Sequence, residues 1–478
     1  MNQLITRSGV AFGTSGARGL VADMTDELCY AYASAFLQTV ATGATTVVLG
    51  HDLRPSSPRM AAACATAMAA HGAQVVYAGA LPTPALAFYA AQWGAPAIVI
   101  TGSHIPFDRN GIKFYRADGE ISKADEQAML AATVSVPATL APAALPAPDA
   151  RVARAYVQRY TQFFGANALA GLCVAVYEHS SVGRDILSEI LQGLGAQVLP
   201  LGRTDVFVPI DTEAVRPEDI AQARQWATEH SFDAIVSTDG DADRPLIGDE
   251  RGQWLRGDMV GILCAQYLQA QVVVTPVSSN TAVEKCGAFA QVLRTRIGSP
   301  YVIAGMESAL AALAQGATPP AGPVVGYEAN GGFLLASDVQ HNGQVLAALP
   351  TRDAVLPMLA LLCLARQRGC KLSELSADLP RRFTASDRLQ NFATDKSRGL
   401  IQSLLQDTPR MAQTLAPGSG TVAAIDQTDG LRVTFANQDI VHLRPSGNAP
   451  ELRCYAEAST FEAAGQLCDA CLQRVKLL

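Results

Sequence analysis

The chain has 478 residues, of which 49% are hydrophobic and 17% are charged, and its formal net charge is −7. This composition is typical of a globular protein, and the acidic balance gives no support to a nucleic-acid-binding surface. The N-terminal MNQLITRSGV lacks the apolar core of a secretory signal, and the most apolar stretch, near 354–365, is about half a membrane span. We therefore expect a cytoplasmic protein without nucleic-acid or membrane partners.

An internal repeat predicts the fold. Residues 46–79, 173–202 and 272–292 each read as an apolar strand, a loop with two adjacent serines, a helical stretch and a second apolar strand. Short apolar runs that alternate with helical patterns are typical of βαβ units and mixed or parallel sheets. The repeat therefore predicts three α/β domains of similar build.

The remaining sequence predicts where these domains end. An Ala/Pro-rich segment, Thr133–Ala150, cannot hold a continuous helix and is a good linker. The tail from about Lys371 has a different rhythm, with a hairpin-like stretch around TVAAIDQTDGLRVTF, and reads as a smaller α+β domain. The predicted domains are I to IV, with bounds 1–150, 151–255, 256–369 and 370–478.

The first polar loop follows the apolar strand PAIVI and contains Ser103. Gly102 allows a tight turn that exposes Ser103 at the strand end, beside His104 and Lys113. A serine hydroxyl is a poor nucleophile without a base or a metal. The loop thus predicts a reactive serine, and the alternative is a polar turn that caps a helix.

The second polar loop, STDGDADR, follows the strand FDAIV. Asp239, Asp241 and Asp243 are spaced so that all three can converge on one ion, and close carboxylates are unfavourable without a cation. Carboxylate oxygens suit Mg²⁺, and Arg244 can steady a phosphate beside it. The alternatives are a solvated acidic turn and a calcium site, although no Glu stands at the twelfth position of an EF-hand loop.

Two further loops offer sugar and phosphate ligands. Glu328 and Asn330, in GYEANGG, can present a carboxylate and an amide to vicinal hydroxyls. The run RPSGNAPELR has a phosphate-binding inventory in an acidic protein, and its ligands are Arg444, Ser446, Asn448 and Arg453. The alternatives are a Gly-rich β-turn and a solvated basic turn.

These loops, in this order, resemble those of the α-D-phosphohexomutase family. TGSHIPFDRNGIKFY and DGDADR resemble its phosphoserine and metal loops, RPSGNAPELR its phosphate loop, and FGTSGARG its N-terminal signature. The resemblance covers essentially the whole chain. It implies three similar α/β domains of mixed sheets and a C-terminal α+β domain, arranged around a central cleft to which each domain gives one loop.

The resemblance also implies roles for the site residues. Ser103 would carry the phosphoryl group, and would hold Mg²⁺ together with Asp239, Asp241 and Asp243. Arg244 would contact the phosphoserine. The reaction centre would be lined by Arg18, His104 and Lys113. The sugar would be held by Glu328 and Asn330, and the phosphate that is not reacting by Arg444, Ser446, Asn448 and Arg453.

The implied reaction interconverts hexose 6-phosphate and hexose 1-phosphate through a hexose 1,6-bisphosphate, which also serves as activator, in a monomer or homodimer. The loops are most like those of bacterial members that act on mannose phosphate, and glucose and glucosamine phosphates are alternatives. Departures from the family pattern at Ala242, Ser299, Asn330, Gly332 and Asn448 bear on substrate choice. Two other readings stay open, a phosphomonoesterase and a sugar-phosphate-binding protein without catalysis.

Overall fold

In the described part of the chain, three mixed β-sheets are followed by one five-stranded antiparallel sheet, and a separate two-stranded antiparallel sheet belongs to the third domain. The computed structural model describes residues 4–5, 8–13, 16–315, 322–341, 343–446 and 450–478. The predicted architecture of three α/β domains and a C-terminal α+β domain is confirmed. The exact domain bounds stay predictions.

The first domain contains a seven-stranded sheet in which β3, β4 and β5 are parallel. Its central strands are apolar and buried on both faces, as expected where helices cover a sheet. The strands are β1 (Ala11–Phe12), β2 (Ala17–Leu20), β3 (Thr46–His51), β4 (Gln74–Ala80), β5 (Ala97–Ile100), β6 (Arg109–Arg116) and β7 (Gly119–Glu120). The helices are α1 (Asp26–Thr39), α2 (Ser57–Ala70), α3 (Thr83–Gln92) and α4 (Lys123–Ala131).

A segment without helix or strand follows α4 and ends where α5 begins, at Ala150. It coincides with the predicted linker. The second domain then contains α5 (Ala150–Phe164), β8 (Cys173–Tyr177), α6 (Arg184–Gly193), β9 (Gln197–Leu201), α7 (Pro217–Glu229), β10 (Ala234–Thr238) and β11 (Pro245–Gly248).

The third domain repeats this plan and adds a hairpin. Its helices are α8 (Gly257–Tyr267), α9 (Ala282–Lys285), α10 (Ser299–Ala314) and α11 (Val355–Arg368). Its strands are β12 (Val272–Pro276), β13 (Gln291–Thr295), β14 (Val324–Tyr327), β15 (Phe333–Leu335), β16 (Val339–His341), β17 (Gln344–Leu346) and β18 (Leu349–Asp353). The helix of this repeat, α9, has only four residues, and is thus shorter than its equivalents α2 and α6.

The repeat is exact at the level of strand order. The orders β4-β3-β5-β6, β9-β8-β10-β11 and β13-β12-β14-β15 each place three parallel strands beside one antiparallel strand. In each domain the third parallel strand therefore ends in the loop that turns back to the antiparallel strand. These three loops are the ones that contain Ser103, the three aspartates and Glu328.

The fourth domain has a five-stranded antiparallel sheet in the order β19-β23-β22-β21-β20. The strands are β19 (Phe383–Leu389), β20 (Val422–Asp426), β21 (Leu431–Phe435), β22 (Ile440–Pro445) and β23 (Leu452–Ala458). The helices are α12 (Thr394–Leu405), α13 (Thr408–Leu415) and α14 (Phe461–Lys476). The pairing of β20 with β21 confirms the predicted hairpin.

The hydrophobic cores divide the molecule unevenly. One large cluster contains buried side chains from the first three domains, such as Val99, Val236 and Val325. The fourth domain has a separate cluster, which includes Leu404, Phe435 and Leu443. Among the described residues, no helix has the length and apolar character needed to cross a bilayer.

Candidate active site

The structure brings Ser103 and the three aspartates together. Ser103 is fully buried, and its Oγ donates a hydrogen bond to Asp239 Oδ2 at 2.5 Å. The backbone of Ser103 has φ +53°, in the left-handed region, which indicates that the surrounding structure enforces this conformation. The loop of the second domain lies directly against it, because a Cβ added at Gly240 would be 2.8 Å from the Ser103 carbonyl oxygen.

A buried arginine holds the serine loop in place. Arg54 donates from Nη1 to the carbonyl oxygens of Pro106 and Arg109, at 2.7 and 2.9 Å. It donates from Nη2 to the Ser103 carbonyl at 3.0 Å, while Asp52 balances its charge through Nε at 3.2 Å. A Cβ at position 102 would be 2.5 Å from the Arg54 Cζ, which explains the glycine there. One side chain thus fixes most of the loop that carries Ser103.

The three aspartates form a cluster that fits a cation. One carboxylate oxygen of Asp239, Asp241 and Asp243 lies within 4.8 Å of those of the other two. All three side chains are buried, and the Oδ1 atoms of Asp241 and Asp243 have no hydrogen-bond partner in the part of the chain that the structure describes. Buried carboxylate oxygens without donors fit a divalent cation with hard oxygen ligands and are unlike a solvated acidic turn. The cluster could therefore hold a metal ion.

Two cations from other domains already neutralise part of this charge. Lys113 Nζ lies 2.6 Å from Asp241 Oδ2 and 2.7 Å from Asp243 Oδ2. Arg352 donates from Nη2 to Asp243 Oδ2 at 2.8 Å and from Nη1 to Glu328 Oε2 at 3.1 Å. Arg352 thereby joins the loop of the aspartates to the loop predicted to bind sugar.

The electrostatic environment differs sharply within the cluster. Burial, with the charges of Asp241 and Asp243, raises the pKa of Asp239 well above its ordinary value. Burial also acts on Asp243, but Arg352, Lys113 and Arg244 hold its pKa well below its ordinary value. The cationic side chains thus stabilise the charged form of Asp243, whereas burial and the neighbouring carboxylates favour the neutral form of Asp239.

His104 and Arg244 lie beside the buried Ser103 hydroxyl. His104 Nδ1 lies 3.3 Å from Ser103 Oγ and 2.9 Å from Arg244 Nη1. Burial and the charges of Arg244, Arg18 and Arg453 lower the pKa of His104 well below its ordinary value. The imidazole is therefore neutral at pH 7, and its Nδ1 accepts the hydrogen bond from Arg244.

Arg18 adds a further positive charge from β2. Burial and the charges of Arg244 and Arg352 lower its pKa to about 10, so the guanidinium stays charged at neutral pH. The reaction centre therefore combines Arg18, Lys113, Arg244 and Arg352 around three carboxylates. Such an arrangement can bind a dianionic phosphoryl group and stabilise it during transfer.

The predicted sugar loop lies beside this centre. Glu328 is buried against Arg352, as described above. The Asn330 Oδ1 accepts a hydrogen bond from the Gly332 N–H at 2.9 Å, and its carbonyl oxygen accepts one from Thr212 Oγ1 at 2.7 Å. Asn330 thus shapes the turn itself, and its remaining amide N–H groups are what it can offer to a ligand.

The predicted phosphate loop joins β22 to β23 in the fourth domain. Arg444 and Arg453 are cross-strand neighbours, and Arg453 is also opposite Arg388 of β19. Directly opposed residues point to the same face of a sheet, and like charges there are destabilising unless an anion lies between them. Ser446 is buried at the start of the loop, with its N–H bonded to the Glu451 carbonyl. Asn448 lies outside the described residues.

Four residues of this site were not assigned a role from the sequence. Arg352 contacts Asp243, as described above. Thr83 donates to Asp241 Oδ2 at 2.6 Å, and Arg54 holds the serine loop. Arg388 extends the arginine row. In the sequence, Arg54 stands out only as a cationic residue in a loop and Arg388 only as one on a strand. Nothing in the sequence marks Thr83.

Comparisons with known proteins identify the family of this chain. Models of the four phosphoglucomutase/phosphomannomutase domains match residues 9–136 (alpha/beta/alpha domain I), 154–252 (domain II), 256–383 (domain III) and 392–473 (the C-terminal domain). A phosphomannomutase of Salmonella muenchen is 47% identical over 99% of this chain and 97% of its own length. A phosphomannomutase of Sinorhizobium fredii is 46% identical over 96% of this chain and 97% of its own length.

A solved structure shows the same fold. A phosphomannomutase described as putative, from Thermus thermophilus, superimposes with a TM-score of 0.77 at 22% identity, over 98% of this chain and 99% of that chain. The agreement of the four domain models, the two full-length relatives and the strand order shows that this chain belongs to the phosphoglucomutase/phosphomannomutase family.

Proposed function

We propose that this protein is a phosphohexomutase that interconverts hexose 6-phosphate and hexose 1-phosphate, with Ser103 as the carrier of the phosphoryl group. The observation that carries the proposal is the fully buried Ser103 hydroxyl, hydrogen-bonded to Asp239 within the aspartate cluster. A serine in an ordinary polar turn would be solvated. This one faces a cation site and positive side chains from three domains, which is the inventory that phosphoryl transfer needs.

In this proposal, Asp239, Asp241 and Asp243 would hold Mg²⁺ together with the phosphorylated Ser103, and this ion would supply charge neutralisation for the transferring phosphoryl group. Lys113 is held by ion pairs to two carboxylates and places its positive charge near the transferring group. Arg18 and Arg244 place their charges in the same region. Since these side chains are fixed by burial and ion pairs, little reorganisation is needed during transfer.

The transfer itself exchanges one phosphate ester for another. A hydroxyl oxygen of the hexose phosphate forms a bond to phosphorus as the bond from phosphorus to Ser103 Oγ breaks. The hydroxyl releases a proton and Oγ takes one up, so protons balance over the step. The resulting hexose 1,6-bisphosphate turns over in the cleft and returns its other phosphate to Ser103, and added bisphosphate acts as activator by phosphorylating free enzyme.

The bisphosphate must bind in two opposite orientations, so the phosphate that is not reacting can be on carbon 1 or on carbon 6. A clamp for this phosphate must therefore accept either position. The fourth domain offers such a clamp in Arg444, Arg453 and Arg388, together with Ser446 and Asn448. Guanidiniums bind phosphate oxygens in a forked geometry regardless of the attached sugar. Glu328 and Asn330 would contact the sugar hydroxyls between the clamp and Ser103. We favour mannose phosphate as substrate, since both full-length relatives described above are named phosphomannomutase.

Intact-mass measurement tests the carrier role. Enzyme incubated with glucose 1,6-bisphosphate should gain the mass of one phosphoryl group, and Ser103→Ala should abolish both this gain and all mutase turnover. Ser308→Ala, on an exposed helix position, is the matched control and should behave as wild type. Near-normal turnover by Ser103→Ala would refute the assignment.

Turnover assays test the substrate. Mannose 1-phosphate, glucose 1-phosphate and glucosamine 1-phosphate are compared by kcat/KM with Mg²⁺ and trace hexose bisphosphate. The proposal predicts the highest value for mannose 1-phosphate. Release of inorganic phosphate without isomerised product would indicate a phosphomonoesterase, and binding without either product a sugar-phosphate-binding protein.

A further inference from the structure

A tight turn between β20 and β21 connects the fourth domain to the third. Asp429 Oδ2 accepts a hydrogen bond from the Ile297 N–H at 3.0 Å, across the boundary between these domains. The preceding carbonyl, of Thr428, accepts one from Arg296 Nε at 3.0 Å. The same Asp429 Oδ2 lies 2.8 Å from Arg444 Nε, at the base of the phosphate loop. One carboxylate therefore contacts both the third domain and an arginine of the clamp.

The position of Asp429 is fixed by its own domain. Gly430 has φ +92°, and a Cβ there would lie 2.3 Å from the Leu443 carbonyl oxygen, so the turn is pressed against β22. His442 Nε2 donates to the Asp429 carbonyl at 2.5 Å. Asp429 is thus a rigid support for Arg444, which lies two residues beyond His442 on the same face of β22.

The partner segment of the third domain is fixed as well. Ile297 stands two residues before Ser299, whose Oγ donates to the buried Glu120 of the first domain at 3.1 Å. Glu120 Oε1 also accepts from Thr351 Oγ1 at 2.9 Å, next to Arg352 of the reaction centre. A short chain of hydrogen bonds therefore relates Asp429 to the elements that hold Arg352 and the sugar loop.

We propose that Asp429 is a positioning residue that orients Arg444 for phosphate and sets its distance from the reaction centre. The inference rests on the proposed function, in which Arg444 binds the phosphate that is not reacting. The ion pair involves Nε, which leaves the two terminal nitrogens to receive phosphate oxygens. Within the described part of the chain, this ion pair is the one polar contact of the Arg444 guanidinium, whose Nε makes no hydrogen bond, so its orientation depends on the charge of Asp429.

The energetic reason is the flexibility of arginine. A long side chain that is ordered only on binding loses rotamer freedom at that moment, which weakens affinity. Asp429 orders Arg444 beforehand from a turn that its own domain holds in place, and the hydrogen bond from the Ile297 N–H ties that turn to the third domain. A carboxylate also competes with phosphate for the guanidinium, and this opposite effect would make removal of the charge tighten binding. The two effects predict changes of opposite sign in KM.

The experiment compares four variants with wild type by steady-state kinetics. Asp429→Asn keeps an acceptor for the Ile297 N–H and removes the charge that holds Arg444. Arg444→Ala removes the arginine itself, and Asp429→Asn/Arg444→Ala completes a double-mutant cycle. Asp439→Asn is the control, since the Asp439 side chain bonds only Ser419 and Asn437 within the fourth domain. Thermal unfolding is measured for each.

Asp429→Asn should raise KM about fivefold to tenfold, with kcat within about twofold of wild type, because only the pre-ordering of a phosphate contact is lost. The double variant should match Arg444→Ala alone, and Asp439→Asn should match wild type. The positioning role is wrong if KM for Asp429→Asn is unchanged or lower, or if the effects of the two substitutions add in the double variant. Either result leaves the role of Arg444 as a phosphate ligand unaffected. An unchanged KM for Arg444→Ala overturns the clamp, and the positioning role with it.

Discussion

The reaction centre and the phosphate loop are built in opposite ways. Around Ser103 the charged side chains are buried and paired across domains, as in the contacts of Lys113 with Asp241 and of Arg352 with Asp243. In and beside the phosphate loop, the ion pairs that Arg453 and Arg388 make with described residues are long ones to Glu451, at 3.8 and 3.6 Å. Apart from the cation that the aspartates could hold, the charges of the first site are paired before any ligand arrives, whereas the second site keeps opposed arginines that an anion could bridge.

The hydrophobic cores explain this difference. The first three domains share one core, which fixes their loops relative to one another. The fourth domain has its own core and meets the third through polar contacts, such as the hydrogen bond that Glu457 Oε2 accepts from the Thr281 N–H at 3.0 Å. Polar interfaces without a shared core allow relative domain motion. In the proposed function, chemistry is therefore placed on the rigid part, and recognition of the distal phosphate on the part that can move.

The largest expected effect comes from removing the divalent cation. A chelator should lower turnover by roughly a thousandfold or more, because the aspartate cluster then lacks the charge that stabilises the transferring group. Added Mg²⁺ should restore the rate. Circular dichroism should be unchanged, since the shared core does not depend on the ion. Full turnover in chelator would disprove the metal site.

The next effect tests pre-assembly of the reaction centre. Arg352→Gln should lower kcat about a hundredfold and destabilise the protein by about 3 kcal/mol, because it leaves Asp243 and Glu328 buried without their partner. The matched control is Arg251→Gln, an exposed partner of Asp249. It should change the free energy of unfolding by less than about 1 kcal/mol. If Arg352→Gln changed kcat and stability only slightly, Lys113 alone would be sufficient to maintain the cluster.

A smaller effect is expected in the phosphate loop. Arg453→Gln should raise KM about tenfold and leave kcat nearly unchanged, because one guanidinium of the clamp is lost. Stability should stay within about 0.5 kcal/mol of wild type or increase slightly, since a like-charged cross-strand pair is removed. Arg410→Gln, in α13, is the control. A large loss of stability would mean that Arg453, like the charged residues around Ser103, belongs to a network that is already paired before a ligand binds.

The smallest effect is the pH dependence of stability in the fourth domain. Burial lowers the pKa of His442 to about 4, although its hydrogen bond to the Asp429 carbonyl opposes the shift. The unfolded state, with an ordinary pKa near 6.5, takes up the proton first. Stability is therefore complete above about pH 6.5 and is lost as the pH falls toward 4. Between pH 7.5 and 6 the loss from this group should be about 1 kcal/mol.

Urea unfolding at several pH values measures this effect. His442→Gln should flatten the pH dependence, whereas His71→Gln, at an exposed position of the first domain, should not. If the fourth domain unfolds separately, as its separate core suggests, the change should fall in its transition alone. An unaltered pH dependence would mean that the pKa of His442 is the same in the folded and unfolded states.

The sequence by itself predicted the repeated strand–helix–strand units, the C-terminal hairpin and the loops that contain Ser103, the three aspartates and Glu328. These features are local. A strand, a turn and a helix depend on hydrophobic period and turn residues, and the carboxylates at 239, 241 and 243 are brought together by a few residues of backbone.

Only the tertiary structure decided which distant side chains complete the site. Arg352 and Thr83 reach the aspartate cluster across 109 and 158 residues of sequence, respectively. The carbonyl oxygen and Oδ1 of Asn330 accept hydrogen bonds from within the protein, and Asp429 contacts Arg444 from a neighbouring hairpin. Such contacts depend on how separate domains pack through the shared core and the polar boundary, and no local pattern of residues encodes that packing.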